Sequence, residues 1–272
     1  MNPERRYYEN TKLWAGENYG PAEVRRVATL SAKLPADAGT LLDVGCGSGL
    51  FLKYLLECRG REFGRLCGTD RSSAALAHLQ GDKVQSCIDA LPFSDGEFDA
   101  VSCMEVLEHL PEEVYLRAVH ELSRVSGRYI LISVPYNENI ENGQTECDKC
   151  WCRFNPNYHL RNFNEQTVRH LFDGKGFRCL EAFRMHSQKT IPFEIQVILE
   201  LLGIIRRKLL RRTRRPMPAH TVCPACGYSP SSDRDRSASL TAMPEKTIGM
   251  KLGSMLTMKS TWRWMGALYK RV

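Results

Sequence analysis

The chain has 272 residues, enough for one large domain or for one domain with an appendage. With 43% hydrophobic and 25% charged residues it has the composition of a soluble globular protein, which excludes disordered and disulfide-dependent classes. The net charge of +7 is local: seven basic residues lie in 206–215, and the rest of the chain has 31 basic against 31 acidic residues. The basic character therefore belongs to one local run.

The sequence gives no sign of membrane spanning or secretion. No window contains the roughly 20 apolar residues that cross a bilayer, and Met1–Arg6 leads into no apolar signal segment. The eleven cysteines are scattered through predicted strands and helices. A reducing compartment is the simpler expectation for such cysteines, and we predict a cytoplasmic protein.

Strands and helices alternate along most of the chain. After a helix over 21–33, the pattern predicts strands at 40–45, 65–70, 83–88, 98–104, 128–134, 177–185 and 262–269, with helices at 48–58, 73–80, 111–124 and 164–174. Such alternation predicts an α/β fold with a doubly wound, mostly parallel sheet that helices cover on both faces.

Alternating glycines follow the first predicted strand. Asp43 precedes Gly45, Gly47 and Gly49 in a D-x-G-x-G-x-G arrangement, and Leu50 stands where a dinucleotide fingerprint would have its third glycine. Glycine lets the backbone turn sharply and approach a ligand, and the next helix offers free N–H groups. The stretch predicts a ligand-binding turn.

Acidic residues follow the next three strands. Asp70 ends the second strand, Asp89 the third and Glu105 the fourth. The carboxyl ends of parallel strands form the binding crevice of open α/β sheets, so these acids are predicted to meet at one site.

This constellation resembles class I S-adenosylmethionine-dependent methyltransferases over residues 40–185, and more loosely over 262–272. The resemblance implies S-adenosylmethionine as cofactor. Its methionine part would be held by the glycine loop, its ribose by the end of the second strand and its adenine by the end of the third. The implied residues are Asp43, Gly45, Cys46, Gly47, Gly49, Asp70, Arg71, Asp89 and Ala90.

The resemblance also implies a domain organisation. In this family the seventh strand lies antiparallel beside the sixth, and residues 262–269 would be that strand. We therefore expect an N-terminal helical cap at 1–36, a core at 37–186, an insertion before the last strand at 187–260 and the last strand at 261–272.

The segment Cys103–Leu110 carries the residues best suited to catalysis, namely Glu105, Glu108 and His109. It resembles a segment of ubiquinone-pathway O-methyltransferases. It also resembles the metal-holding E-x-x-E-H of small-RNA 3′-terminal 2′-O-methyltransferases, in which a later histidine completes a Mg²⁺ site; His159 is the counterpart here. Three interpretations stay open: His109 as a general base of near-neutral pKa, Mg²⁺-assisted catalysis, or residues that only begin the next helix.

Two C-x₂-C pairs have the spacing of zinc knuckles. Cys147 and Cys150 form the first, and Cys223 and Cys226 form the second within C-P-A-C-G. We predict one structural zinc ion that ties the insertion to the core. Cys152 and His159 are competing ligands, and free thiols are the alternative.

An apolar stretch at 191–205 leads into the basic run 206–215. It could form a lid over the substrate cleft, a helix on an anionic membrane surface, or an RNA phosphate patch; no aromatic residues interleave the arginines, which disfavours single-stranded nucleic acid. We favour the lid or membrane-proximal role.

The leading functional hypothesis is O-methylation of a small-molecule or glycan/lipid-linked substrate. The alternatives are metal-assisted methylation of the RNA ribose 2′-hydroxyl and a non-catalytic, methyltransferase-like binding module. The methyl acceptor and the oligomeric state do not follow from the sequence.

Overall fold

The computed structural model describes residues 8–9, 14, 19–141, 144–190, 217–218, 221–230 and 259–272. The apolar stretch 191–205 and the basic run 206–215 lie outside the described residues. Among the residues described, no helix combines the length and hydropathy that crossing a membrane requires.

Five helices and nine strands alternate along the described chain. The helices are α1 Pro21–Lys33, α2 Leu50–Arg59, α3 Ser73–Leu76, α4 Glu112–Val125 and α5 Glu165–Arg169. The strands are β1 Thr40–Val44, β2 Arg65–Asp70, β3 Asp82–Gln85, β4 Phe98–Met104, β5 Ser126–Pro135, β6 Thr145–Glu146, β7 Arg153–Phe154, β8 Phe177–Thr190 and β9 Lys259–Arg271.

Seven strands form one sheet in the order β3-β2-β1-β4-β5-β9-β8. Strands β1 to β5 are parallel, whereas β9 inserts between β5 and β8 and runs antiparallel to both. The predicted fold class and the antiparallel last strand are therefore confirmed. The glycine turn after β1 lies at the middle of the sheet, where β2 and β4 flank it on either side.

Strand β5 shows why helices cover both faces of the sheet. Ile130 and Ile132 are fully buried in one apolar cluster together with Leu122 of α4. The intervening Leu131 is fully buried in a second cluster with Leu30 of α1 and Leu55 of α2. Successive side chains of a strand point to opposite faces, so a continuously apolar strand is stabilised only between two layers.

Two helices are shorter than the sequence predicted. Helix α3 ends at Leu76, and α5 covers only Glu165–Arg169 of the expected 164–174. Asn164 and Thr167 form a reciprocal capping box that fixes the start of α5. The chain then turns toward Gly174 and Gly176, whose φ angles are 70° and 79°. The helix itself ends at its C-cap residue His170, whose φ angle is −101°, and turns over 170–176 take the place of its predicted second half.

A small third cluster lies beside the sheet. It lies at the β6–β7 hairpin and contains Cys147, Phe154 and Tyr158. These side chains pack against Met217 and Cys223, which lie in the described ranges 217–218 and 221–230. All five side chains are buried. This packing brings the two cysteine pairs together although they are far apart in sequence.

Candidate active site

A cleft of about 420 Å³ opens above the carboxyl ends of β1, β2 and β4. Its floor is the glycine turn: Gly45 and Gly47 have φ angles of 71° and 55°, a left-handed backbone that favours glycine. The backbone N–H of Gly45 donates to the Thr69 carbonyl at 2.8 Å, which ties the turn to β2. The predicted glycine turn is therefore present, and its role in binding a ligand stays a prediction.

Asp70 braces the turn from the end of β2. Its carboxylate accepts hydrogen bonds from the backbone N–H groups of Gly47 at 2.9 Å and Ser72 at 2.8 Å. Burial raises the pKa of this carboxyl, although both hydrogen bonds act against that rise. Each carboxylate oxygen can accept more than one hydrogen bond, so Asp70 can bind a ligand hydroxyl as well.

Asp43 lies beneath the turn and is 3% exposed. Its Oδ1 accepts a hydrogen bond from the Ser102 hydroxyl at 2.6 Å. Burial raises the pKa of Asp43 to about 7, with a further rise from the negative charge of Asp70, while the Ser102 hydrogen bond opposes both. The predicted residue Cys46 also lines the cleft.

The remaining predicted cofactor residues differ in their placement. Arg71 and Asp89 line the cleft, and Asp89 also accepts hydrogen bonds from Arg117 at 2.8 and 3.1 Å. Ala90 closes a turn onto Cys87 and is not among the described lining residues. Gly49 is not a lining residue either; it begins α2 at a φ of 89° and packs tightly against Leu79.

Described aromatic residues of the N-terminal segment cover the cleft. The ring of Trp14 lies 3.0 Å from the position that a Cβ on Gly47 would occupy. Tyr8 receives the Arg71 guanidinium over its ring at 4.7 Å and approaches His109 Nδ1 with its hydroxyl at 3.3 Å. Tyr8 and Trp14 thus form part of the site.

Glu105 is held away from the other two predicted catalytic residues. Its carboxylate accepts hydrogen bonds from Ser133 at 2.8 Å and from the Trp264 indole at 2.8 Å, and it pairs with Arg26 at 3.2 Å. These three partners come from β5, β9 and α1. Glu105 lines the cleft, but its carboxylate connects α1, β5 and β9 and is not hydrogen-bonded to His109 among the described residues.

Glu108, His109 and His159 come together, each offering one ligand atom within 4.8 Å of the others, and His109 lines the cleft. The two imidazole rings meet edge to face at 4.7 Å. Glu108 is 1% exposed, and neither of its carboxylate oxygens has a hydrogen-bond partner among the described residues. Burial raises its pKa well above the usual range, with the charge of Glu105 adding to the rise.

His159 Nδ1 is hydrogen-bonded to the Glu138 carboxylate. Burial acts to raise the pKa of Glu138, but the hydrogen bonds to His159 and Asn155 and the electrostatic effects of the two imidazoles together outweigh burial, and the net pKa is lowered. A carboxylate on one ring nitrogen fixes the orientation of an imidazole and strengthens the other nitrogen as a proton acceptor or ligand.

The expectation that His109 titrates near neutrality is wrong. Burial lowers its pKa to about 3, and the neighbouring His159 lowers it further, whereas a hydrogen bond to the Tyr158 backbone acts in the opposite direction. Desolvation disfavours the charged imidazolium. His109 is consequently neutral at physiological pH.

The four predicted zinc ligands form a compact group. The sulfur of Cys147 lies 3.7 Å from that of Cys226, and Cys150 lies 3.5 Å from Cys223. Zinc–sulfur bonds of about 2.3 Å in a tetrahedron place the sulfurs about 3.8 Å apart. Cys152, considered as a competing ligand, lies outside this group.

The two knuckles have the same backbone geometry. Trp151 donates its backbone N–H to the Cys147 carbonyl at 3.1 Å, and Gly227 donates to Cys223 at 2.9 Å. Both donors have a left-handed backbone, with φ angles of 65° and 71°. Each loop folds its two thiols toward one point, and all eleven cysteines are free of disulfides.

Sequence reasoning missed three contributors to the site. Arg26 and Trp264 hold Glu105, and Glu138 orients His159. None of the three belongs to a motif, and each reaches its partner across a long sequence separation. The apolar periodicity of α1 could indicate a packed helix, but it gave no signal for an arginine directed at the half-buried carboxylate of Glu105.

Comparisons with known proteins agree with this geometry. Residues 15–182 match a protein family described as a methyltransferase domain. The ubiquinone biosynthesis O-methyltransferase of Xanthomonas oryzae pv. oryzae is 34% identical over 113 residues, covering 39% of this chain and 47% of the relative. The enzyme of the same name from Nitrosospira multiformis is 36% identical over 94 residues, covering 32% and 39%. The chain thus spans less than half the length of these curated relatives.

Solved structures share the fold at low identity. A SAM-dependent methyltransferase from Archaeoglobus fulgidus has a TM-score of 0.52 at 17% identity, covering 93% of this chain and 95% of that one. Magnesium protoporphyrin IX methyltransferase from Synechocystis has a TM-score of 0.51 at 16% identity, covering 67% and 92%. The sheet, the glycine turn and the family match lead to one conclusion: the chain belongs to the methyltransferase domain family and has the class I fold of S-adenosylmethionine-dependent methyltransferases.

Proposed function

We propose that the protein is an S-adenosylmethionine-dependent methyltransferase that methylates a hydroxyl group. The observation that carries the proposal is the cleft itself, which the glycine turn, Asp70 and His109 line together. When bound, S-adenosylmethionine supplies the electrophilic methyl group. The protein then has to hold the acceptor oxygen in line and remove its proton.

The residues of the cleft fit this cofactor. Gly45 and Gly47 line the cleft with a left-handed backbone that favours glycine, so that the turn presents main chain to a bound ligand. Asp70 can accept the ribose hydroxyls, and Asp43 lies under the turn where a positive charge would be stabilised by its ionised form. Ser86, Cys87 and Ile88 line the end where the adenine would lie.

His109 is the proposed general base. It is neutral at physiological pH, so its ring can accept the proton of the acceptor hydroxyl as the new oxygen–carbon bond forms. Its low pKa makes it a weak base alone. The negative charge of Glu138, held next to it by His159, acts to raise that pKa and would stabilise the imidazolium as it forms.

A hydroxyl of a small molecule, or of a glycan/lipid-linked molecule, is the proposed acceptor. The relatives named for ubiquinone biosynthesis support an oxygen atom as acceptor and a small molecule as substrate. The lining of the cleft is mostly apolar around His109, with Val106, Leu110 and Val114 beside it. An apolar wall suits the body of an aromatic or lipid-like acceptor.

The test is transfer of a radiolabelled methyl group from S-adenosylmethionine to three probe acceptors, each measured with release of S-adenosylhomocysteine. The probes are catechol, octyl glucoside and a single-stranded RNA oligonucleotide with a free 3′-terminal ribose. Methylation of catechol or octyl glucoside supports the proposal. Methylation of the RNA alone would show that the acceptor is an RNA ribose and not a small or glycan/lipid-linked molecule. A failure to bind S-adenosylhomocysteine in calorimetry would overturn the proposed methyltransferase function.

A metal-assisted form of the reaction is the second candidate. The buried carboxylate of Glu108 faces two imidazoles without a hydrogen-bond partner among the described residues, a donor set that suits a divalent cation. Such an ion would lower the pKa of the acceptor hydroxyl. Glu105 would not be a ligand, because its carboxylate is committed to Arg26, Ser133 and Trp264.

We also propose that Cys147, Cys150, Cys223 and Cys226 hold one structural zinc ion. The sulfur–sulfur distances of 3.5 and 3.7 Å support tetrahedral coordination, and four cysteines leave no open position for catalysis.

A further inference from the structure

The cysteine cluster and the imidazole pair are connected through a single residue, Tyr158. Its phenolic hydroxyl donates to the carbonyl of Val222 at 2.5 Å and accepts from the backbone N–H of the same residue at 2.8 Å. Val222 directly precedes the cluster residue Cys223. One tyrosine side chain therefore satisfies both backbone groups of the residue that leads into the second knuckle.

The backbone of the same tyrosine lies against the imidazole pair. The Tyr158 backbone is hydrogen-bonded to His109, and the next residue, His159, is bound to Glu138. The backbone N–H of Leu160 then donates to the Glu108 carbonyl at 2.7 Å. Residues 158–160 are thus hydrogen-bonded to His109, Glu138 and Glu108.

Tyr158 also has a strained backbone, with a φ angle of 59°. A bulky residue in the left-handed region is strained, and this conformation persists only where the surroundings enforce it. The enforcing contacts are the buried ring, which stacks on Phe154 at 6.0 Å, and the two hydrogen bonds to Val222. Without a fixed second knuckle, the hydroxyl would lose its partners and the local backbone could relax.

We propose that the metal-bound cysteine cluster positions the acceptor half of the active site, with Tyr158 as the positioning residue that holds His159 and His109 in place. The inference deepens the proposed methyl transfer and rests on it for its catalytic meaning. The cofactor half is built independently, because the glycine turn and Asp70 are braced by β1 and β2. Loss of the metal should therefore disturb the acceptor half, with His109 and His159, and leave the cofactor half unchanged.

The test compares Tyr158→Phe, Cys223→Ser and the wild-type protein by three measurements: zinc content, calorimetric affinity for S-adenosylhomocysteine, and ¹H–¹⁵N spectra of the histidine side chains. Tyr228→Phe and Cys152→Ser are matched controls from the same region. Spectra of His109→Gln and His159→Gln assign the two resonances.

Tyr158→Phe is expected to keep its zinc and to bind S-adenosylhomocysteine within twofold of wild type, but to shift the His159 and His109 ring resonances. Cys223→Ser should lose zinc and show the same shift, and the double variant should shift no further. Both controls should resemble the wild type. In the methyl-transfer assay Tyr158→Phe should lower kcat by at least tenfold without changing KM for the cofactor.

Unchanged histidine resonances in a zinc-free Cys223→Ser protein would overturn the inference, as would a purified wild-type protein that contains no metal at the cluster. A protein whose histidines respond as expected but that binds no S-adenosylhomocysteine would instead overturn the proposed function. Since Tyr158→Phe leaves all four thiols in place, the test does not depend on the stability of the cysteine variant.

Discussion

The imidazole rings of His109 and His159 meet edge to face with centroids 4.7 Å apart. His109 ends a short 3₁₀ turn after β4, whereas His159 lies in the loop after the β6–β7 hairpin. Their contact lowers the pKa of His109 beyond the effect of burial and keeps its ring neutral. The cleft therefore presents a neutral imidazole at His109, and the neighbouring His159 is hydrogen-bonded to the Glu138 carboxylate, whose pKa is lowered.

Replacing His109 by Ala should lower kcat by ~10²–10⁴ while leaving cofactor affinity nearly unchanged, because the lost group accepts a proton only during the reaction. Turnover assays and calorimetry measure the two quantities. His120→Ala is the matched control, since His120 lies exposed on α4. Mg²⁺ distinguishes the metal-assisted form: after treatment with chelator and return of Zn²⁺ alone, wild-type turnover should stay lost until Mg²⁺ is added only if Glu108 and the imidazoles hold an ion. A variant that turns over normally per folded molecule would remove His109 from catalysis.

Asp70→Asn should weaken binding of S-adenosylhomocysteine by about 10-fold to 100-fold. Hydrogen bonds to a charged group are worth about 1.5–3 kcal/mol, and the neutral amide accepts ribose hydroxyls less strongly. Isothermal calorimetry measures the change. Asp82→Asn is the control, because Asp82 is an exposed acid on β3 that pairs with Arg65. Equal affinities for wild type and the Asp70 variant would refute the assignment.

The buried carboxyl of Asp43 should make stability depend on pH. Its pKa is about 7 in the folded chain against an ordinary 3.8, so the folded state holds the proton more strongly than the unfolded state. Its stabilising contribution is full below about pH 4 and is lost as pH rises through 7. Asp43→Asn keeps an acceptor for Ser102 and removes this titration.

Urea unfolding at pH 5 and pH 8 measures that difference. The wild type should lose on the order of 2 kcal/mol more than Asp43→Asn over this interval. Asp95→Asn, an exposed acid paired with Arg124, serves as control and should follow the wild type. Parallel pH profiles for wild type and the Asp43 variant would contradict the raised pKa.

Gly68→Ala should destabilise the sheet by about 1–3 kcal/mol through overpacking. A Cβ at this position on β2 would lie 2.9 Å from both Cys46 Sγ and Leu52 Cδ1, too close for either atom. Gly64→Ala is the matched control, because its Cβ would meet only the Gly39 carbonyl at 3.7 Å. Denaturant midpoints compare the two variants, and equal midpoints would show that the neighbours of Gly68 move at no cost.

The protein purified without chelator should contain about one zinc ion per chain, because four cysteine ligands complete a structural site. Atomic absorption or mass spectrometry measures the content. Cys223→Ser should lower it strongly, while Cys152→Ser, which alters a neighbouring thiol outside the four-sulfur group, should not. If zinc remains after Cys223→Ser but is lost after Cys152→Ser, the fourth ligand is Cys152 and not Cys223.

The sequence by itself determined the order of strands and helices in the core. It also determined the half of the site that contains the glycine turn and Asp70. Alternating strands and helices specify a parallel sheet because each strand must be buried on both faces, and β5 shows the expected continuous burial. The glycine turn and Asp70 were predictable for a related reason: strand ends of a parallel sheet meet at one edge, so residues near them in sequence become neighbours in space. The C-x₂-C spacing likewise specified two knuckles, since each is local.

Only the tertiary structure decided the other half of the site, around His109 and His159, and the pairing of the two knuckles. The pairing of the two knuckles, the His109–His159 contact and the Glu138 hydrogen bond depend on packing across long stretches of chain, for which sequence spacing gives no distance. Glu105 and His109 belong to one motif, yet Glu105 turns toward Arg26 and Trp264 while His109 faces the cleft. The pKa of His109 was beyond sequence reasoning for the same reason: burial is a property of the assembled protein, and desolvation sets the charge.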